Sequence, residues 1–245
     1  MFKIMKQTVA GIALLAMTSL SQAESEVSYS ANLGFMSDYM YRGIHQSSSS
    51  AMGGFDIEYG SFYVGTWFAD LQEGGWEAPG DDSHRGFEYD VYAGFGFDLT
   101  DSISASVGYT IYRYTDKGAS AFDDDYDEVN LGLGFAISED ASIAIDYAVG
   151  ENTATDQSET DYDVLTIAVD YLGMYALFGT WGVSEDDTSA GEVDADWMEF
   201  GYSRTVGDFD LSGAFVLSEK ELASGSDSAE DGDFSRFIFS ISTGF

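Results

Sequence analysis

The chain has 245 residues, a formal net charge of −35, no cysteine and a single proline. Such acidity makes nucleic acid and anionic membrane surfaces poor partners, and the absence of thiols excludes a disulfide framework. Aromatic residues at 16% argue against disorder despite the charge, because disordered chains are poor in rings.

The first residues read as an export signal. Lys3 and Lys6 form a positive start, Val9 to Leu20 is apolar, and Ser21-Gln22-Ala23 places small residues where a signal peptidase reads, so cleavage is expected after Ala23. The division is then a signal peptide over 1–23 and one β domain over 24–245. Nothing beyond Ala23 approaches the roughly 20 apolar residues of a membrane helix, so any membrane residence must be built from strands. All 44 acidic residues lie beyond this segment.

From there the pattern is period-2 alternation of large apolar with small or polar residues, which marks strands with two unlike faces. Candidate strands fall near 26–42, 50–59, 62–70, 85–99, 102–114, 126–137, 141–149, 162–170, 174–183, 196–205, 208–218 and 234–245. The clearest runs Phe87, Tyr89, Val91, Ala93, Phe95, Phe97, Leu99, with Glu88, Asp90, Tyr92, Gly94, Gly96 and Asp98 between them. Gly94-Phe95-Gly96-Phe97 is echoed by Gly132-Leu133-Gly134-Phe135, as expected of repeated hairpins. Short connections near Gly60, Asp101, Glu139, Gly173 and Gly207 alternate with long acidic ones, and Pro79 sits in a long one, where it breaks no ladder.

These features predict an all-β, transmembrane, antiparallel up-and-down barrel of about twelve strands, with short periplasmic turns and long acidic outer loops. A soluble sandwich or lipocalin-like barrel would alternate too, with its bulky face inward. Bulky residues from twelve strands would overfill a closed interior, so they are placed against lipid. The last strand ends in Phe245 with Ile241 and Phe239 on the same parity, a pattern resembling the signal read by outer-membrane assembly machinery.

The segment Ser37-Asp38-Tyr39-Met40-Tyr41-Arg42-Gly43-Ile44-His45-Gln46-Ser47, followed by Gly53-Gly54-Phe55-Asp56 and Tyr63-Val64-Gly65-Thr66-Trp67, resembles the opening of the TorF family of porins, departing from its pattern at His45. The resemblance implies an outer-membrane barrel classed as a porin, with no established substrate; together with the export signal and the strand pattern, the expectation is residence in the outer membrane of a Gram-negative bacterium and passive passage of small solutes. The resemblance carries no catalytic residues and no cofactor.

With bulky parity outward, the opposite parity gives pore-lining candidates Asp38, Arg42, Asp56, Glu58, Glu88, Asp90, Glu128, Asp146 and Arg236, together with Asp98, Asp170, Asp210 and Arg204. Acids outnumber bases, which predicts a cation-preferring lumen. Arg42 stands out: with Asp38 on the same parity a salt bridge or a constriction contact is possible, and a bridge that plugs the barrel is at least as strong a reading as a solute contact. Outer-membrane lipid, lipopolysaccharide, the assembly machinery and small solutes are the expected partners. Acidic runs such as Asp123-Asp124-Asp125 and Glu185-Asp186-Asp187 offer hard oxygens to divalent cations or simply reflect a saline habitat, and no spaced calcium loop is present. Two rival classes stay open: a structural or adhesive barrel with a closed lumen, and a lipid hydrolase built on His45 or His84 with a nearby serine.

Overall fold

Twelve strands with unlike faces can satisfy their backbones in lipid only by closing on themselves. The computed structural model describes residues 26–72, 85–115, 126–153, 159–183, 193–223 and 232–245. The expected export signal, His84 and the two acidic runs lie outside them. The strands are β1 (Val27–Tyr41), β2 (Ile44–Tyr59), β3 (Phe62–Gln72), β4 (Arg85–Thr100), β5 (Ile103–Tyr114), β6 (Tyr126–Ser138), β7 (Ala141–Thr153), β8 (Glu159–Tyr171), β9 (Met174–Val183), β10 (Val193–Val206), β11 (Phe209–Ser218) and β12 (Phe234–Gly244). Each pairs antiparallel with its sequence neighbours, and β12 pairs with β1, so the sheet is a closed barrel. The seam runs from Asn32↔Gly244 to Met36↔Ser240. Just beyond it, Ala31 and Phe245 exchange two backbone hydrogen bonds of 2.9 and 3.0 Å. The terminal residue expected to carry the assembly signal therefore lies at the closing seam.

Short turns join the strands at one end. Tyr171 and Met174 pair across Leu172-Gly173, whose φ values of 54° and 82° suit the tight hairpin turn that follows the right-handed twist of its strands. Gly60 and Gly207 supply positive φ in two further turns.

The bulky parity faces outward. Phe35, Phe95, Val107, Leu131, Ile167, Phe200, Phe215 and Phe239 are all exposed, and Phe237 is 66% exposed. An apolar band of this extent around a closed sheet is a lipid face. This overturns the soluble alternative, which needs those residues inside. Phenylalanine goes mainly outward, but tyrosine and tryptophan divide. Tyr39, Tyr112, Tyr126, Tyr162, Trp181 and Trp197 are buried on the inward face, so the lumen is not lined by small and charged residues alone.

The strands depart from expectation at one place that matters. The second strand, expected from residue 50, starts at Ile44. The pattern Ile44-His45-Gln46-Ser47-Ser48-Ser49-Ser50 hides it, because serine runs read as loop. This extension pairs only with β1: β1 leaves β12 after Met36, and β2 joins β3 only from Met52. Residues 37–50 thus form a two-stranded ribbon outside both flanking ladders, with a register shift at Tyr39/Met40, tied to its neighbours at its base where Phe239 N donates to Ser37 Oγ at 3.0 Å and Ser50 Oγ donates to the Asp70 carbonyl at 2.6 Å. That ribbon turns into the barrel.

If the outward band touches lipid, Leu131→Arg in mid-β6 should destabilise the barrel by about 2–4 kcal/mol, whereas Ser138→Arg at the turn should cost about 0–1 kcal/mol. Urea unfolding in lipid vesicles measures both. Equal costs would show that no depth-dependent lipid contact exists.

Candidate functional site: a hairpin seated in the lumen

The ribbon ends in the turn Tyr41-Arg42-Gly43-Ile44, with φ 49° at Arg42 and 82° at Gly43. This is the same tight geometry as Leu172-Gly173. Glycine is required at its second position: a Cβ at Gly43 would lie 2.7 Å from Trp197 Cβ and 2.9 Å from Leu222 Cδ1. Arginine at the first position is costly, about 1–3 kcal/mol for a non-glycine residue in the left-handed region, and it must be held by its contacts.

Those contacts cross the lumen. The Arg42 guanidinium makes a two-pronged ion pair with the carboxylate of Glu128 on β6: Nη1 donates to Oε1, and Nη2 donates to Oε2 at 3.0 Å. Glu128 is 0% exposed and also accepts from Tyr112 Oη at 3.2 Å, Tyr162 Oη at 3.0 Å and Asn130 Nδ2 at 3.0 Å. Asn130 is oriented in turn by Thr110, whose Oγ1 donates to Oδ1 at 2.8 Å. A buried carboxylate satisfied on every side by a forked cation and neutral donors is the arrangement in which burial of charge is tolerated. The guanidinium also lies over the rings of Tyr41 and Trp181, at 4.9 and 5.7 Å from their centroids.

The backbone of the tip is held as well. Trp181 Nε1 on β9 donates to the Arg42 carbonyl at 2.9 Å, and Ser218 Oγ on β11 donates to the Gly43 carbonyl at 2.7 Å. Along the ribbon, Tyr41 Oη shares a 2.8 Å hydrogen bond with Tyr112 Oη, and Tyr39 Oη donates to Glu88 Oε1 at 3.1 Å. The tip therefore rests on β4, β5, β6, β9, β10 and β11, the wall opposite and beside its own strands. Behind it runs a chain of ring contacts, from Tyr112–Tyr126 stacked at 4.3 Å through Tyr162 to Trp181 and Trp197. By this geometry Arg42 bridges the ribbon to the wall through Glu128 on β6, not through Asp38 on its own ribbon.

The other sequence-predicted positions fall along the lumen at different depths. Glu88 and Asp90 are buried beside the ribbon. Asp146 is half-buried on the inward parity of β7, within electrostatic reach of Arg42. Asp56 lies further toward the short turns and accepts from Tyr92 Oη at 2.5 Å, and Glu58 accepts weakly from Ser28 Oγ at 3.4 Å. Asp210 accepts from Thr205 Oγ1 at 2.6 Å, Asp170 is half-buried near its turn, and Asp98 is exposed at the end of β4. Arg236 is inward near the start of β12, its Nη1 donating to the Ser235 carbonyl at 3.1 Å.

Arg204 corrects the expectation. It is exposed and shares the parity of Met198, Phe200 and Tyr202, so it belongs to the outside of the barrel. The inward residue of that strand is Glu199, 4% exposed and accepting from Tyr175 Oη. Sequence parity already carried this signal, since Glu199 alternates with Gly201 and Ser203.

Asp38 Oδ1 lies 3.6 Å from His45 Nε2 across the ribbon, and Ser48 Oγ lies 3.4 Å from the same nitrogen. A nucleophile relay needs its acid and its serine on opposite ring nitrogens, and this trio does not provide that.

Two outcomes follow from the seat of the hairpin. Arg42→Gly, which keeps the turn, and Glu128→Gln should show coupling of about 1–3 kcal/mol in a double-mutant cycle read by urea unfolding, and simple additivity would show that the bridge holds nothing. Gly43→Ala should destabilise by about 1–3 kcal/mol through positive φ and the Trp197 collision, while Gly232→Ala should leave the midpoint unchanged.

Comparison with solved structures places this architecture among porins. The KdgM porin covers 88% of this chain and 99% of its own at a TM-score of 0.54 and 9% identity. The NanC porin does the same over 88% and 99%, at 0.55 and 10%. A second KdgM structure, in complex with disordered oligogalacturonate, aligns at 0.53 and 9% identity. At such identities the likeness is one of fold. No curated protein matches the chain. A family model described as "Bacterial protein of unknown function (Gcw_chp)" matches residues 20–245, and the chain belongs to that family.

Proposed function

We propose that the chain is a narrow, cation-preferring channel of a Gram-negative outer membrane, passing small solutes around or past the seated hairpin. In this reading residues 1–23 are removed on export, the strand ending in Phe245 is presented to the assembly machinery, and lipid with lipopolysaccharide surrounds the barrel. Membership of the TorF porins, suggested by the sequence of the ribbon itself, belongs to the same proposal.

The observation that carries it is the charge of the interior. Glu88, Asp90, Glu128 and Glu199 are buried on the inward face of a closed barrel whose outside is apolar, and the inward cations described are Arg42, spent on Glu128, and Arg236 near one end. Acids in excess of bases along an enclosed wall favour cations over anions to the extent that they ionise. Oligogalacturonate, bound in the KdgM complex, is a polyanion, and these acids disfavour a solute of that charge. Twelve strands lie between the filled eight-stranded barrel and the open sixteen-stranded porin, in keeping with a narrow bore.

Planar-bilayer recordings in a salt gradient test this. The reversal potential should report cation selectivity, and Glu88→Gln with Asp90→Asn should reduce it. Anion selectivity would overturn the proposal. The seated hairpin favours one second reading, a closed structural barrel. Under the channel reading the wild type conducts, and Arg42→Gly/Glu128→Gln raises conductance by about twofold or more by loosening the obstruction. Zero conductance in both proteins would establish the closed barrel instead.

A further inference from the structure

The seated hairpin leaves a slot in the wall. β12 pairs with β1 only from Ser240 to Gly244, so its residues Phe234 to Phe239 pair with β11 alone. On the other side β3 pairs with β2 only as far as Ala69, so Asp70, Leu71 and Gln72 pair with β4 alone. The two edges make no ladder with each other. Bonding residues alternate along an antiparallel ladder, and the bonds between Ala31 and Phe245 fix the phase, so Phe239, Phe237 and Ser235 turn their N–H and C=O toward the slot. Side chains stand in for part of the missing ladder: Ser37 Oγ accepts from Phe239 N at 3.0 Å, Arg236 Nη1 donates to the Ser235 carbonyl at 3.1 Å, and Ser50 Oγ donates to the Asp70 carbonyl at 2.6 Å. Among the described residues no such stand-in serves Phe237, which is 66% exposed, and backbone polar groups turned to hydrocarbon are costly.

The ribbon leaves the wall at a strained residue. Ser49 has φ 64°, the left-handed region that serine adopts at a cost, and it lies opposite Ser37, between the pairs Met36↔Ser50 and Asp38↔Ser48. At this level β1 has quit β12 and β2 has not yet met β3. The arms beyond the bend match the slot in length and parity. Extending the seam register from Met36↔Ser240 sets Tyr39 opposite Phe237 and Tyr41 opposite Ser235, and the two tyrosines then continue the outward row of Leu33 and Phe35. Tyrosine suits the membrane interface, where its ring is apolar and its hydroxyl wet. In the seat both rings are buried in the lumen instead, bonded to Glu88 and Tyr112.

We infer that the hairpin of residues 37–50 is a two-position gate, hinged at Ser49, which rests seated in the lumen and in its second position enters the slot and pairs with β12 and β3. On leaving the seat Ser49 straightens to extended backbone, which relieves its strain, and the bridge from Arg42 to Glu128 is given up. Seat and slot compete for one segment, so the conformation of residue 49 and the charge of Glu128 set the balance between them. This deepens the channel reading and rests on it for what the second position does, which is to clear the lumen, but the movement is measurable without conductance.

The chain has no cysteine, so paired cysteines report position without background. The test uses the full barrel folded in lipid vesicles, carrying Tyr39→Cys with Phe237→Cys. A disulfide needs Cα atoms within about 7 Å and Cβ atoms directed together. In the seat residue 39 faces the lumen and residue 237 faces lipid, so this bridge forms only in the slot. Copper-catalysed oxidation is expected to bridge the pair within one chain, read on non-reducing gels. Ser49→Gly, which removes the strain of the seat, should slow bridging by about fivefold, and Ser49→Val, which opposes the bend, should speed it by about fivefold or more. Tyr39→Cys with Phe178→Cys on β9 stays unbridged. Because Tyr39→Cys also loses the bond to Glu88, Tyr41→Cys with Ser235→Cys serves as a second reporter, and the residue 49 variants are compared within each pair. Folding is verified by heat-modifiable gel mobility, and if Ser49→Val does not fold, Ser49→Gly alone decides. No bridge in either folded pair, equal bridging of the Phe178 control, or rates indifferent to residue 49 overturns the gate. In planar bilayers the bridged barrel should conduct more than its reduced form. Bridging in a barrel that never conducts would keep the gate and remove the channel; cation-selective conductance without bridging would do the reverse.

Discussion

The structure depends on one requirement: in hydrocarbon, every backbone N–H and C=O must find its partner within the protein. A sheet meets it only by joining its last strand to its first, and the bonds between Ala31 and Phe245 complete that join. Closure then forces a division of side chains, because alternate residues of each strand must face either lipid or an enclosed interior. The exposed phenylalanines and the buried carboxylates of neighbouring positions on β4 are two results of the same constraint. An acid such as Glu88 can exist at that level only because the wall turns it away from lipid.

The interior is not left to the wall alone. Part of the first hairpin is withdrawn from the sheet and used as filling, which trades ladder bonds with β12 and β3 for bonds across the lumen. The arginine at its tip occupies a backbone conformation that suits glycine or asparagine better, and its guanidinium is surrounded by acceptors and rings matched to it. A residue held at a conformational cost with a prepared receptor marks the tip as a built element. The rest of the lumen follows from it, since Tyr39 and Tyr41 reach Glu88 and Tyr112 only because the ribbon is seated.

Much of this was legible in the alternation. Strand number, turn positions and the inward placement of Glu88, Asp90 and Glu128 follow from parity, which a pleated strand imposes without regard to tertiary detail. Parity failed where it was applied to charge before size: Arg204 stands in step with Phe200 and Tyr202, and Glu199 in step with Gly201 and Ser203. The aromatic interior was hidden for a different reason. Tyrosine suits a lipid interface and a wet lumen equally well, so its side is set by the neighbours of each ring, as with Tyr112 against Tyr126. The inward ribbon was hidden most deeply, because β pairing and serine content say that a hairpin can form and say nothing of whether it stays in the wall.

The piece of chain that fills the barrel is continuous with the strand that shuts it. β1 contributes the short ladder to β12 through Met36, and from the next residue onward it becomes the ribbon. The earliest strand of the barrel must wait for the final one before the circle is complete, so the obstruction and the zip are a single component. The filling of the middle and the closure of the rim are in this molecule the work of one strand.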